Sequence, residues 1–394
     1  MIEPDAAASA PGYRRDRVTW TAFVVLLAFG MLNAGLGPAL PYLRRAEHVS
    51  YLASVLHQVG FAVGGGLAGL LTAHARRMPA RGVAIRGGML GAAVAWLALG
   101  YGNRLEVTVS AAFAVSFFGT AALIRVWAVL ADRHGARRAV AMSEGEVAVS
   151  LGGVVSPLLV GVAAGTPLGW RAAFALCATA VVVAVTATAF VPLPEPRLDT
   201  ARAAGGGGDG GVPATLVVVF AIVALEFALA FWLASYLGDS VGLPRQTAAG
   251  LVSVLYLTNL AGRLLVSRLA HRVPAELLLA GALALALGGL PVLLAATRAP
   301  LAVAGLAIVG IGIGATFPLA SALHVAASPR GADGALGQVL AAAAVGQIVG
   351  PVMVALVAQS FGLRAGLTTL LGFTLAAAGA LHWHVRRWRP GLAD

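Results

Sequence analysis

Pro192-Leu193-Pro194-Glu195-Pro196, running on to Gly205-Gly206-Gly207-Gly208-Asp209-Gly210-Gly211, interrupts an otherwise apolar chain near its midpoint. Proline and glycine at this density carry no helical periodicity, so residues 192–213 read as a flexible linker. Six apolar stretches precede it, at 18–43, 49–75, 83–101, 107–131, 139–164 and 172–191. Six more follow, at 214–237, 247–270, 275–296, 301–326, 335–358 and 365–385. Each reaches the roughly 17–25 residues a helix needs to cross about 30 Å of hydrocarbon. The expectation is an all-α membrane protein of twelve transmembrane helices in two pseudo-symmetric six-helix bundles. Residues 1–191 form one half; residues 214–394 form the other, ending in a short tail.

Composition agrees: 59% of residues are hydrophobic and only 11% charged, with a mean hydropathy of +0.88. A soluble domain carries more charge than this. The 50 glycines would be costly in water-exposed helices, but in a bilayer they let backbones approach, as Gly64-Gly65-Gly66 and Gly152-Gly153 are placed to do. The single Cys177 excludes an intrachain disulfide and a cysteine metal cluster.

The net charge of +11 raises nucleic acid as a partner, and its distribution argues against one. All 27 basic residues are arginines. With the amino terminus cytoplasmic, eighteen fall in inner segments and seven, Arg44, Arg45, Arg104, Arg171, Arg245, Arg298 and Arg364, in outer loops. This positive-inside bias puts both termini in the cytoplasm. The first apolar stretch is too long for a signal-peptide core and reads as a retained helix.

Landmarks recur at an offset of about 194 residues. Pro41-Tyr42-Leu43 answers Ser235-Tyr236-Leu237, and Arg76-Arg77-Met78-Pro79-Ala80 answers His271-Arg272-Val273-Pro274-Ala275. Gly152 and Pro157 answer Gly346 and Pro351, and Gly169-Trp170-Arg171 answers Gly362-Leu363-Arg364. Four matches in one order suggest duplication.

With twelve spans in six plus six, the chain resembles the major facilitator superfamily over essentially its whole length. Leu130-Ala131-Asp132-Arg133-His134-Gly135-Ala136-Arg137-Arg138 is similar to that family's cytoplasmic loop signature. The resemblance implies a gate in which Asp132 pairs with arginines such as Arg133, Arg137 and Arg138 to hold the inner side closed. The copy after the second span has Arg76 at the Asp position, and the copy after the eighth has His271. Gly152, Ser156, Pro157 and Gly161 resemble the antiporter signature of the fifth span, with Ser in place of Gly; Gly346, Gly350 and Pro351 repeat it in the eleventh.

A charge at mid-membrane costs roughly 2.5–3.5 kcal/mol on insertion scales, so ionisable groups inside spans mark candidate sites. Glu226 sits near the middle of the seventh span with no basic residue within a helical turn. It suits a group that binds and releases a proton or meets a cationic substrate; the competing reading is a packing hydrogen bond. Arg125 lies in the fourth span, and Glu144 and Glu146 open the fifth. An ion pair between them is either responsive to protons or a static lock. His57 and Gln58 lie on a polar stripe of the second span with Ser50 and Ser54; His57 either titrates or is an ordinary hydrogen-bonding partner. The eighth span has a matching stripe in Tyr256, Asn259 and Arg263, and Arg263, near the cytoplasmic end, reads as an anchor of the gate. Phe227, Phe231 and Trp232 flank Glu226 in sequence, and Asn33 and Gln347 add polar groups on the first and eleventh spans. Together with Gln58, Tyr256 and Asn259 these form the expected substrate cavity, against the alternative of lipid contact for the aromatic rings.

No phosphate loop, metal-ligand spacing or nucleophile–His–acid set occurs. No cofactor is expected. The partners expected are a small amphipathic or cationic molecule, protons and the lipid bilayer, with no nucleic acid, and the protein as a monomer. The favoured expectation is proton-coupled export by alternating access from a cell membrane, the bacterial inner membrane. Uptake by symport or facilitated diffusion is the alternative, and a lipid-modifying enzyme or a receptor with a transporter fold stands further off.

Overall fold

The computed structural model describes residues 14–74, 80–193, 213–328 and 331–388. Most of the linker, the extreme termini, Arg76, Arg77 and Arg330 lie outside the described residues. Every regular element among those described is helical.

The first half contributes α1 (Arg17–Ala46), α2 (Tyr51–Thr72), α3 (Arg81–Tyr101), α4 (Leu105–His134), α5 (Val140–Ala164) and the shorter apolar α6 (Arg171–Thr186). The second contributes α7 (Ala214–Asp239), α8 (Arg245–Leu269), α9 (Ala275–Leu294) and α10 (Ala299–Ala327). Its last apolar segment, Gly334–Arg386, runs for 53 residues. Gly362, at φ 80° and ψ 165°, breaks it into α11 (334–361) and α12 (363–386). Among the described residues, ten helices are long and apolar enough to cross a membrane, counting that broken helix once and leaving out α6.

Helix ends follow local chemistry. The Asp16 carboxylate caps α1 by accepting from Thr19 N at 2.9 Å, and Ser50 caps α2 by accepting from Ala53 N at 3.2 Å. Gly135, at φ 48°, ends α4, in a region open to glycine without the Cβ clash other residues meet.

The two halves are built by the same contacts. In the first, α1 packs on α5, α2 on α4 and α3 on α4 and α6; in the second, α7 packs on α11, α8 on α10 and α9 on α10 and α12. Gly152 on α5 lets the backbone of α1 at Leu27 and Gly30 come close; Gly346 and Gly350 on α11 do the same for α7 at Phe220 and Ala224. Arg171, opening α6, donates to the Gly100 carbonyl at the end of α3 at 3.1 Å. Arg364, opening α12, donates to the Leu294 carbonyl at the end of α9 at 2.6 Å. Each guanidinium thereby satisfies carbonyls that a helix end leaves without partners.

We call the face where α1 begins proximal and the face where it ends distal. Between the halves, α5 lies along α8. Gly161 abuts Gly250 towards the distal face, Gly153 abuts the Tyr256 ring, and Glu146 meets Arg263 towards the proximal face. The distal half of α1 crosses α7, with Gly37 against Ala230. At the distal end Arg44 and Tyr51 both bind the Asp239 carboxylate, at 3.0 and 2.9 Å, and Leu52 N donates to Gln359 at 3.4 Å. These contacts form a latch between the halves.

Candidate functional site

Along α7 almost every residue from 221 to 237 is buried, because α7 runs through the middle of its half. Glu226, Phe227 and Ala230 are exceptions and keep partial exposure deep within the span. Glu226 therefore lies midway along the helix on a side that is not fully packed. Its Oε1 accepts from Asn259 Nδ2 on α8 at 3.1 Å. The other amide atom of Asn259, Oδ1, is buried without a hydrogen-bond partner, leaving an acceptor available beside the carboxylate.

Tyr256, Asn259 and Arg263 follow at i, i+3 and i+7 on α8 and share one side of it. Tyr256 and Arg263 both lie within electrostatic range of Glu226, as does Glu146. Arg263 donates through Nε to the Gly314 carbonyl at 2.8 Å, where α10 bends, and through Nη1 to Glu146 Oε2 of α5 at 3.0 Å. The result is a chain of polar groups, Asn259–Glu226 within one half and Arg263–Glu146 between halves, reaching from mid-span towards the proximal face. A guanidinium placed beside two carboxylates, of which it bonds one, is an arrangement whose balance changes with protonation or with arrival of a cation.

The remaining candidates fall in three places. Glu144 receives Arg15 at 2.6 and 2.8 Å, and Glu146 receives Arg263, so arginines of α8 and of the segment before α1 occupy the carboxylates expected to meet Arg125. Arg125 itself is half-buried, with Arg81 within electrostatic reach. At the proximal face Asp132 pairs with Arg81 of α3 at 2.7 Å and Arg133 with Asp16 at 2.6 Å, while Arg137 and Arg138 are exposed. Asp16 is held below the ordinary carboxylate range; burial pushes it up, and the donors of Thr19 and Arg133 outweigh that.

Asn33, Phe227, Tyr256 and Gln347 are half-buried. Phe231 and Trp232 are packed in the core, the indole donating to the Pro351 carbonyl at 3.0 Å. Trp232 thereby takes up a carbonyl near the bend-prone proline of α11. Gln58 is buried, with its Nε2 unpartnered. Three aromatic residues of α4 pack together, Phe113 stacked on Phe117 and Phe117 edge-to-face with Phe118, with Phe113 and Phe118 against the glycines of α2 and α3.

His57 sits apart from this site, completely buried near the distal face. It lies 2.9 Å from Thr108 Oγ1 and 3.3 Å from Glu47 Oε1. Sequence reasoning missed Glu47, Thr108, Asp239 and Arg81. Glu47 follows Arg44 and Arg45 at a span end, where a charge reads as solvated, and only its packing shows that the side chain is enclosed.

A family model described as the Major Facilitator Superfamily matches residues 22–337 and 215–391. No curated protein sequence matches. Among solved structures, a bacterial homologue of the human lysosomal transporter Spinster, inward-facing and unoccupied, is similar with a TM-score of 0.75 and 16% identity over 95% of this chain and 98% of that one. The nucleoside transporter NupG follows with a TM-score of 0.74 and 11% identity over 93% and 99% of the two chains. A D-xylose–proton symporter has a TM-score of 0.67 and 16% identity over 93% and 96%. These likenesses concern the fold. The matched family and these structures are transporters, which sets aside the membrane-embedded enzyme. With its family model matched across almost the entire sequence, this chain belongs to the major facilitator superfamily.

Proposed function

We propose that this protein is a secondary active transporter that exports a small amphipathic or cationic molecule in exchange for protons, by alternating access of its two halves. The observation that carries the reading is Glu226: a carboxylate midway along α7, partly exposed, held by one amide, with the Arg263–Glu146 pair within electrostatic range. In the ionised state Glu226 draws on Asn259 and Arg263. Once protonated, or once a cationic substrate supplies the charge, it needs neither, and Arg263 is left to Glu146. Because Arg263 and Glu146 belong to different halves, the charge state of Glu226 biases how tightly α5 and α8 are held, and such a bias is what coupling requires. Phe227, Tyr256, Asn33, Gln58 and Gln347 complete the proposed cavity. Asp132 with Arg81, and Arg133 with Asp16, serve as the proximal gate. The proposal includes twelve crossings, both termini in the cytoplasm of a bacterial inner membrane, and a monomeric working unit.

The test is flux in liposomes containing only this protein. With an imposed proton gradient, a lipophilic cation such as tetraphenylphosphonium should move against the proton flow in wild type. Glu226→Gln should fold and lose gradient-driven accumulation, retaining at most slow exchange. Movement of substrate with the protons would replace export by uptake through symport. Wild-type accumulation by Glu226→Gln would transfer the coupling role to Glu144, Glu146 or His57.

A further inference from the structure

The distal latch stands beside a second polar cluster that the central site does not use. Glu47 closes α1, His57 lies in α2 and Thr108 begins the buried part of α4; the side chains of His57 and Glu47 have no exposed surface. The hydrogen bonds fix how many protons the cluster needs. His57 Nδ1 lies 2.9 Å from the Ser54 carbonyl, an acceptor, so Nδ1 carries a hydrogen. Nε2 faces Thr108 Oγ1 at 2.9 Å, and that hydroxyl faces Glu47 Oε1 at 2.7 Å. The hydroxyl's other neighbours, the carbonyls of Arg104 and Leu105 at 3.1 Å, are acceptors too.

Two arrangements satisfy this geometry. In one, imidazolium donates to Thr108, which donates to carboxylate. In the other, protonated Glu47 donates to Thr108, which donates to neutral imidazole. Both contain the same single proton, shifted through the hydroxyl. Without it, Nε2 and Oε1, 3.3 Å apart, compete for one hydroxyl hydrogen, and an enclosed carboxylate loses its counter-charge. Glu47 Oε2 is already buried without a partner, so nothing on that side takes over.

Among the charged neighbours, Arg44 binds Asp239 of α7 through Nη2, its buried Nη1 making no hydrogen bond, and forms no ion pair with Glu47. Tyr51 is also engaged with Asp239, and Arg45, His48, Arg104 and Glu106 are exposed. The segment from Arg44 to Leu52 faces both ways. Glu47 holds it to α2 and α4, while Arg44, Tyr51 and Leu52 hold Asp239 and Gln359 of the other half. Its turn is fixed by His48 at φ 55° and by Val49 N donating to the Arg44 carbonyl at 3.1 Å. A change at Glu47 is therefore transmitted to the latch through a few ordered residues.

We propose that His57, Thr108 and Glu47 form a binding site for one proton, and that its occupancy holds the distal face closed. Losing the proton expels Glu47 from its enclosure and releases the latch. The site acts independently of the carrier role given to Glu226.

The test uses the full chain with Cys177→Ala and spin labels at Leu168→Cys and Phe361→Cys, exposed distal residues of the two halves, in lipid nanodiscs without substrate. Label separations measured from pH 5 to pH 9 should show a short-distance population that shrinks severalfold as pH rises. Glu47→Gln, which keeps that position neutral, should hold the short distance at all pH values. Thr108→Ser should respond as wild type does, whereas Thr108→Val should not. Should Glu47→Gln fail to fold, the two Thr108 variants decide. The same pH response in Glu226→Gln supports the proposal, and its loss there would assign the response to Glu226. A pH-independent wild type, or an unchanged response in Glu47→Gln or Thr108→Val, would overturn it.

Discussion

Arg263 of α8 donates to Glu146 of α5 at 3.0 Å and, through its Nε, to the carbonyl of Gly314 at 2.8 Å. One guanidinium thus ties the two halves together and steadies the bend of α10. The pair is part-exposed, at 32% and 49%, so its Coulombic contribution to stability is small, at most about 1 kcal/mol. Glu146→Gln should therefore shift the melting temperature little while altering transport rate. Arg263→Ala also strips the Gly314 carbonyl of its donor and should destabilise more, by about 1–3 kcal/mol. Thermal melts of both variants in one detergent check the order; equal effects would mean that the Gly314 bond contributes nothing.

Close helix packing is the next prediction. A Cβ on Gly350 would press into the backbone of Ala224, whereas one on Gly372 meets nothing within 4 Å. Gly350→Ala should cost about 1–3 kcal/mol by forcing α7 and α11 apart. Gly372→Ala should be neutral or slightly stabilising. Melting temperatures of the two variants separate packing from helix propensity.

Arg364 serves the carbonyls of Leu294, Ala296 and Ser240 at 2.6, 2.9 and 3.0 Å. Arg364→Lys keeps the charge but lacks the planar fork needed to reach three acceptors. It should lose most of the stability that Arg364→Ala loses, about 2 kcal/mol or more. Full retention of stability by the lysine variant would show that charge alone suffices.

Asp16 supplies a pH-dependent term at the proximal face. Its carboxyl is below the ordinary range, despite burial, because of Thr19 and Arg133. The folded form thus favours the ionised group, and the stabilisation is complete above the unfolded value near pH 4 and fades as pH falls through the lower folded value. Asp16→Ala should cost about 1 kcal/mol at neutral pH through loss of the α1 cap. Melts of the variant and wild type should converge on acidification below about pH 4; a gap that persists there would assign it to something other than the carboxylate.

The sequence alone determined the apolar stretches, their grouping before and after the proline- and glycine-rich residues 192–213, and the correspondence of Gly152 with Gly346 and of Gly169 with Gly362, because hydrophobic length and glycine placement are properties of local sequence. It also marked Glu226, since a carboxylate inside an apolar run is visible without partners. The tertiary structure decided which groups meet. Glu144 binds Arg15 and Glu146 binds Arg263, residues 129 and 117 positions away. Trp232, a candidate cavity residue by sequence, is buried in the core and turns to the Pro351 carbonyl. Glu47 is a surface charge by sequence position and an enclosed partner of His57 and Thr108 once three helix ends converge. Helical periodicity specifies which side of a helix a residue occupies, but the partner across the interface depends on how the helices cross. That crossing is set by close-packed side chains distributed over the whole chain.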